Sequence, residues 1–256
     1  MKNLIDKSIV KRRFNKSLTE YHQQAAVQKD IALFLASKIS SLYMPPSSRL
    51  MEIGCGSGFL TEKIVKHISF QKMWCNDITS YSRQVIECLA KRYSVPLVFF
   101  EGDAETIDFP SQLDAVISSS TIQWFNHQKS FFQKVCKSLN SGGVFAFSSF
   151  GEDNFYEISS ITNIGLSYYT LNELTYMLSK QFDIIYSKEW YEVITFKNPL
   201  EVLHHLKKTG VNGVRRAQFG KSSIKEFTGD YARKFSADLN HVTLTYHPLV
   251  VIAVKK

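Results

Sequence analysis

Cysteine is scarce in this chain, and none of the four, Cys55, Cys75, Cys88 and Cys136, stands in a CxxC pair. That scatter excludes a zinc or disulfide framework and reads as free thiols in a reducing compartment. Long apolar runs are missing as well: no stretch approaches the roughly 18 apolar residues of a membrane span. The first sixteen residues are studded with Lys and Arg and hold no apolar run ahead of a small-residue cleavage site. No signal peptide is therefore expected, and a cytoplasmic location is. Internal repeats and low-complexity tracts are absent. So are any obvious catalytic histidine, paired carboxylates or metal-ligating cluster among the motifs.

What is present is enough for a large core without staples, with 44% hydrophobic residues in 256. The length fits one domain, 1–256. The net charge of +8 is uneven. Residues 1–50 hold nine basic and three acidic side chains, residues 200–256 ten and four, and residues 51–199 twelve and sixteen. Basic ends around an acidic middle point to attraction for an acidic partner, either nucleic acid or an acidic carrier protein.

Apolar spacing predicts a helix over 17–43, stopped by Pro45-Pro46. From residue 49 short apolar runs alternate with amphipathic stretches. Strands are predicted at 49–53, 72–76, 97–101, 113–118 and 144–149, with helices from 59, up to 93, and over 128–139. Such alternation specifies a parallel, doubly wound α/β sheet with right-handed crossovers. The last third breaks the rhythm: a helix at 172–180, a strand at 182–187 running on towards 194, helices at 199–208 and 222–235, and a strand at 242–254 split by Pro248. Proline cannot donate to a ladder, so Pro248 argues for an edge or bulge.

Leu50-Met51-Glu52-Ile53-Gly54-Cys55-Gly56-Ser57-Gly58 falls at the first strand-to-helix turn. Glycines at alternate positions let the backbone turn tightly and approach a ligand. A dinucleotide fingerprint would need glycine at 59, which is Phe, and no P-loop lysine follows. Glu52 suits a ligand with a cationic amino-acid end. Asp77 ends the second strand, 19 residues beyond Gly58, where an acid can accept from both ribose hydroxyls. Gly102-Asp103-Ala104-Glu105 follows the third strand, offering a carboxylate and an amide to a purine. Three loops at adjoining strand ends thus match three parts of one nucleoside ligand. The bland alternatives are a structural glycine turn, a helix-capping Asp77 and solvated loop acids.

This constellation (EIGCGSG, Asp77, GDAE) resembles the class I S-adenosylmethionine-dependent methyltransferases. The resemblance implies a seven-stranded, mostly parallel Rossmann-like sheet ending in an antiparallel pair, with S-adenosylmethionine as cofactor. It implies cofactor contacts from Glu52, Gly54, Cys55, Gly56, Asp77, Ile78, Asp103, Ala104, Glu105 and Ser118. The (N/D)PP(Y/F) tetrapeptide of enzymes that methylate base amino groups is absent, since the fourth strand ends Ser118-Ser119-Ser120-Thr121.

Outside this core, residues 11–28 (KRRFNKSLTEYHQQAAVQ), 118–124 (SSSTIQW), 144–150 (VFAFSSF), 202–213 (VLHHLKKTGVNG) and 244–256 (LTYHPLVVIAVKK) are similar to one subfamily. It comprises the biotin-pathway enzymes that methylate the free carboxylate of a malonyl thioester on acyl carrier protein. Leu139-Asn140-Ser141-Gly142-Gly143 departs from the LKPGG common in relatives, and 151–170 matches nothing usable. The resemblance implies an N-terminal helical lid (1–46) ahead of a cofactor core (47–150); in the C-terminal half (151–256), the helices near 199–236, inserted before the last strand, are expected to form a helical cap over the acceptor pocket.

Phe14, Tyr21 and Gln28 recur every seven residues and would share a face of one helix. There Phe14 could shield the sulfonium and Tyr21 could bind the methionine carboxylate. Gln123 and Trp124 are pocket candidates beyond the fourth strand. No general base is expected, because a carboxylate is ionised at neutral pH. His205, Lys207, Lys208, Arg215 and Arg216 are candidates for malonyl or carrier contacts. Two other readings stand beside this one: an O-methyltransferase for a small carboxylic acid or quinone, and a non-catalytic methyltransferase-like module binding RNA or protein. No interleaved aromatic–basic strip supports nucleic acid.

Overall fold

The computed structural model describes residues 4–42, 44–162, 165–209 and 221–256, and their side chains except at 16–24 and 221–223. Five strands, β1 (Arg49–Ile53), β2 (Lys72–Asp77), β3 (Leu97–Glu101), β4 (Leu113–Ser118) and β5 (Leu139–Phe150), run parallel in the order β3-β2-β1-β4-β5. β5 pairs with β4 at Leu139 and again from Val144, and Gly142, with φ +74°, lies in the irregular stretch between the two. The sheet is completed by β9 (Pro248–Lys255), antiparallel to β5, and by β6 (Phe182–Glu189) outside it, giving seven strands.

The order of these last two strands follows from their side chains. Leu249 to Ala253 are all buried, which fits a strand covered on both faces. In β6, buried Phe182 is followed by exposed Asp183, and Ile185 is half exposed, as an edge strand allows. Pro248 therefore does not mark an edge, contrary to the expectation. It is the first residue of an interior strand, where a missing N–H is tolerated.

The strand expected to reach residue 194 is two strands. It ends at Glu189, and β7 (Glu192–Phe196) pairs instead with β8 (Val242–Tyr246) in a separate two-stranded sheet. The two halves of 242–254 thus belong to different sheets, joined through His247. Between β7 and β8 lie α8 (Pro199–Lys208) and α9 (Lys221–Lys234).

The expected single N-terminal helix is also two: α1 (Lys7–Gln24) and α2 (Ala26–Ser40), broken at Ala25 with ψ +48°. Phe14 and Gln28 therefore do not share one helical face.

Three apolar cores result. Helices α5 (Gln128–Ser138) and α7 (Leu171–Leu178) cover one sheet face, with Phe131, Phe132, Phe145, Phe147 and Phe182 at its centre. The Phe145 ring lies 5.7 Å from Phe132 and 4.8 Å from Phe147. Helices α2, α3 (Phe59–His67) and α4 (Ser82–Tyr93) cover the other face through Leu35, Ile39, Leu60, Ile64 and Ile86. A third core joins α8, α9 and β8 to α2 and to Phe150 and Phe155, around Val202, Leu206, Phe227, Tyr231 and Tyr246. Phe155 directly precedes α6 (Tyr156–Thr162). Phe145→Ala empties the middle of the first core and is expected to lower stability by about 3–5 kcal/mol, read as a lower urea midpoint at unchanged slope.

Candidate active site

The glycine loop leaves β1 with the Gly54 and Cys55 amides both donating to the Asn76 carbonyl, at 2.8 and 2.9 Å. Gly54 has φ +71°, and a Cβ there would lie 2.1 Å from Thr121 Oγ1, so no larger residue fits. The Gly56 amide donates to Asp77 Oδ2 at 2.8 Å, and the Thr79 amide to Asp77 Oδ1 at 2.9 Å. Asp77 is buried, and desolvation holds its carboxyl above the usual range against those hydrogen bonds. A carboxylate has about four acceptor positions, so Asp77 keeps capacity for a ligand while fastening the loop.

Glu52 is buried beneath this loop and accepts from Thr61 Oγ1 at 2.6 Å. Burial pushes its carboxyl up to about 8, with Asp77 adding to the rise and the Thr61 hydroxyl opposing it.

At the end of β3, Asp103 accepts from Lys7 Nζ at 3.1 Å and from the Glu105 amide at 3.0 Å. Lys7 also reaches Glu105 at 2.7 Å and lies over the Phe125 ring. With Ile5 bonded to Asn126 and Lys11 to Glu101, these contacts lay the start of α1 along the strand ends.

The strand ends and α1 enclose an open cleft of about 940 Å³. Phe14, Gln28, Glu52, Gly54, Cys55, Gly56, Asp77, Ile78, Asp103, Ala104 and Trp124 all line it. Phe14 and Trp124 meet edge to face at 5.8 Å. Glu105 does not line it, because its carboxylate accepts from the Asn126 and His127 amides at 3.0 and 2.6 Å. Nor does Ser118, whose hydroxyl donates to the Ile53 carbonyl and ties β4 to β1. Gln123 lines a smaller neighbouring chamber and donates to the Ser120 carbonyl at 2.7 Å. The Tyr21 side chain, Arg215 and Arg216 lie outside what the structure describes.

His205 lines neither chamber. It is hydrogen-bonded to the Tyr246 hydroxyl at 2.6 Å beside Phe196, and desolvation pushes its imidazole down to about 4, so it is neutral. Lys207 is exposed and Lys208 half-buried, and neither lines a chamber. Lys7, Ser120 and Thr121 line the cleft without having been singled out as contacts. The Lys7 signal was its charge, readable only once α1 was seen to face two acids.

Among the described residues no group of three or more His, Cys, Asp or Glu is placed to hold a metal ion. Nor is any helix among them long and apolar enough to cross a membrane.

Two expectations follow from this geometry. Gly54→Val should abolish binding of S-adenosylmethionine in calorimetry and Asp77→Ala should weaken it about tenfold or more. Wild-type affinity in both variants would show that the ligand lies elsewhere. The second concerns pH. Burial lifts the Glu52 carboxyl well above 4.5, where an exposed glutamate titrates. Its stabilising contribution is therefore full below that pH and is lost as pH rises through about 8. In urea titrations the ligand-free wild type should lose stability relative to Glu52→Gln across that window.

A family model described as a methyltransferase domain matches residues 51–147. A malonyl-acyl carrier protein O-methyltransferase of Haemophilus influenzae is 36% identical over 252 residues, covering 97% of this chain and 95% of that one. One from Bacteroides thetaiotaomicron is 34% identical over 262 residues, covering 98% and 99%. A Bacteroides fragilis protein of the same name is 37% identical over 253 residues, and the chain spans 51% of its length. Among solved structures, a putative methyltransferase from Bacillus halodurans superposes with TM-score 0.64 at 13% identity, over 86% of this chain and 96% of that one. The N-methyltransferase NodS of Bradyrhizobium japonicum, in complex with S-adenosyl-L-homocysteine, superposes with TM-score 0.55 at 11% identity, over 96% and 98%. These two likenesses speak to the fold. The full-length relationship speaks to the family: the chain belongs to the malonyl-acyl carrier protein O-methyltransferases.

Proposed function

We propose that this chain transfers a methyl group from S-adenosylmethionine to the free carboxylate of a malonyl thioester on acyl carrier protein, the ester that starts the pimeloyl chain of biotin. The observation that carries this reading is the reach of the family relationship. The domain model stops at residue 147, whereas the match to the Haemophilus influenzae enzyme covers 97% of the chain. It therefore includes α1, α8 and α9, the parts outside the generic methyltransferase core.

The residues present fit the cofactor. The Gly54 cradle would be filled by a Cβ, and buried Glu52 and Asp77 line a cleft that also carries apolar walls at Phe14, Trp124 and Phe125. Asp77 would hold the ribose hydroxyls, Glu52 would face the ammonium end, and Asp103 with the Ala104 amide would take the purine. When bound, S-adenosylmethionine supplies an electrophilic methyl carbon on a sulfonium.

The protein's part is to orient the acceptor and to exclude water. Phe14, Trp124 and Phe125 supply the apolar wall. The acceptor carboxylate is ionised at neutral pH and needs no base. The exposed His204 and Lys207 of α8 and Arg12 of α1 belong to the basic ends of the chain, which we take to steer an acidic carrier. In this reading residues 1–46 form a lid and 199–236 a cap over the acceptor entrance.

The test is radiolabelled methyl transfer to malonyl-carrier protein beside malonate, aconitate and RNA. Label is expected on the carrier alone, with a rate that falls as salt rises. Label on a free acid alone would make the chain a small-molecule methyltransferase, and label on RNA alone would end the carboxylate reading.

A further inference from the structure

Two chambers share one wall. Phe14, Gln28, Ser120 and Trp124 line the large cleft and also a second, much smaller chamber beside it. Gln123 and Tyr168 add polar atoms to the second chamber, and none of its described lining residues is charged. If the donor occupies the first chamber, an acceptor in the second must meet it across that wall.

Ser120 is unusual in two independent ways. Its φ of +50° lies in the left-handed region although it is not glycine. The backbone is pinned there: its amide donates to Ser148 Oγ at 3.0 Å, and its carbonyl accepts from Gln123. Its hydroxyl is buried and, among the described residues, has no hydrogen-bond partner. Strained backbone and an orphaned buried hydroxyl at one residue are both unfavourable for folding, and such features concentrate where a ligand is held. Tyr168 complements them. Burial pushes its phenol well above the usual range, so it stays protonated. It accepts from Asn154 Nδ2 at 2.9 Å, which leaves its own proton to donate.

We propose that Ser120 and Tyr168 donate to the acceptor carboxylate, so that the anion is held by neutral groups and not by Lys or Arg. This rests on the methyltransferase function argued above and names the acceptor site within it. The chemistry favours such a site. The carboxylate oxygen's lone pair forms the new O–C bond while the C–S bond breaks onto sulfur, and no proton moves. Negative charge is consumed along the way. A cation against the carboxylate would stabilise the ground state more than the transition state, whereas neutral donors orient the anion with a smaller penalty. The placement of His205, Lys207 and Lys208 outside both chambers agrees.

The test uses the full chain, malonyl-carrier protein and the variants Ser120→Ala, Ser120→Gly and Tyr168→Phe. Each should lower kcat/KM for the carrier about tenfold or more, with S-adenosyl-L-homocysteine affinity by calorimetry within about twofold of wild type. Ser120→Gly separates binding from strain, because it accommodates the positive φ and yet lacks the hydroxyl. Activity restored in Ser120→Gly but not in Ser120→Ala would make the residue purely structural and overturn the proposal. So would wild-type kcat/KM in Ser120→Ala and Tyr168→Phe, or a matching loss of S-adenosyl-L-homocysteine affinity. In those cases a wild type active on malonyl-carrier protein leaves the function standing. A wild type that transfers nothing to the carrier overturns both.

Discussion

The Gly56 amide donated to Asp77 at 2.8 Å ties the loop after β1 to the end of β2, and the rest of the site is built around that bond. It works only because Gly54, two residues earlier, carries no side chain: it passes so close to Thr121 that a Cβ would overlap it. Three strand ends are thereby brought to one level, with Glu52 buried beneath the loop and Asp77 at its rim. Two acids this close in a desolvated place would repel if both were ionised. Desolvation pushes the Glu52 carboxyl up to about 8, and the charge of Asp77 adds to the rise. A ligand carrying a positive charge would reverse that preference, which connects the electrostatics of the loop to the kind of molecule the cleft can accept.

The start of α1 lies along this cleft through a small set of polar contacts rather than a broad apolar core. Lys7 reaches Asp103 and Glu105, Ile5 pairs with Asn126, and Val10 is the buried apolar anchor. Exposed ion pairs are worth about 0.2–1 kcal/mol and partly buried ones somewhat more. A segment fastened this way adds little to global stability. Glu105 belongs to this fastening rather than to the cleft, since its carboxylate also holds the start of α5 through His127.

The C-terminal third makes its own core because β7 and β8 leave the main sheet and pair with each other. Helices α8 and α9 close over them, and Val27 and Ile31 of α2 join from the cleft side. His205 illustrates the consequence: on the sequence it lay among cations beside a supposed substrate, whereas in the fold it is a neutral imidazole bonded to Tyr246 inside that core.

By itself the sequence determined the five parallel strands and the cleft they frame. Short β-branched and apolar runs between amphipathic helices admit one main arrangement, and a glycine loop has steric needs readable from three residues. Burial along β1 and β4 agrees with that pattern. The tertiary structure alone decided which partner each later strand takes. Strands β8 and β9 read as one run interrupted by a proline, and only competition for burial sends β9 between β5 and β6 and β8 to β7. It also decided that the N-terminal helix breaks at Ala25 and that Ser118 and Glu105 spend their polar atoms inside the protein. Ser120 and Tyr168 meet one chamber although 48 residues separate them. Local pattern fixes an element and its apolar side, but the surface that side will cover depends on every other element competing for it.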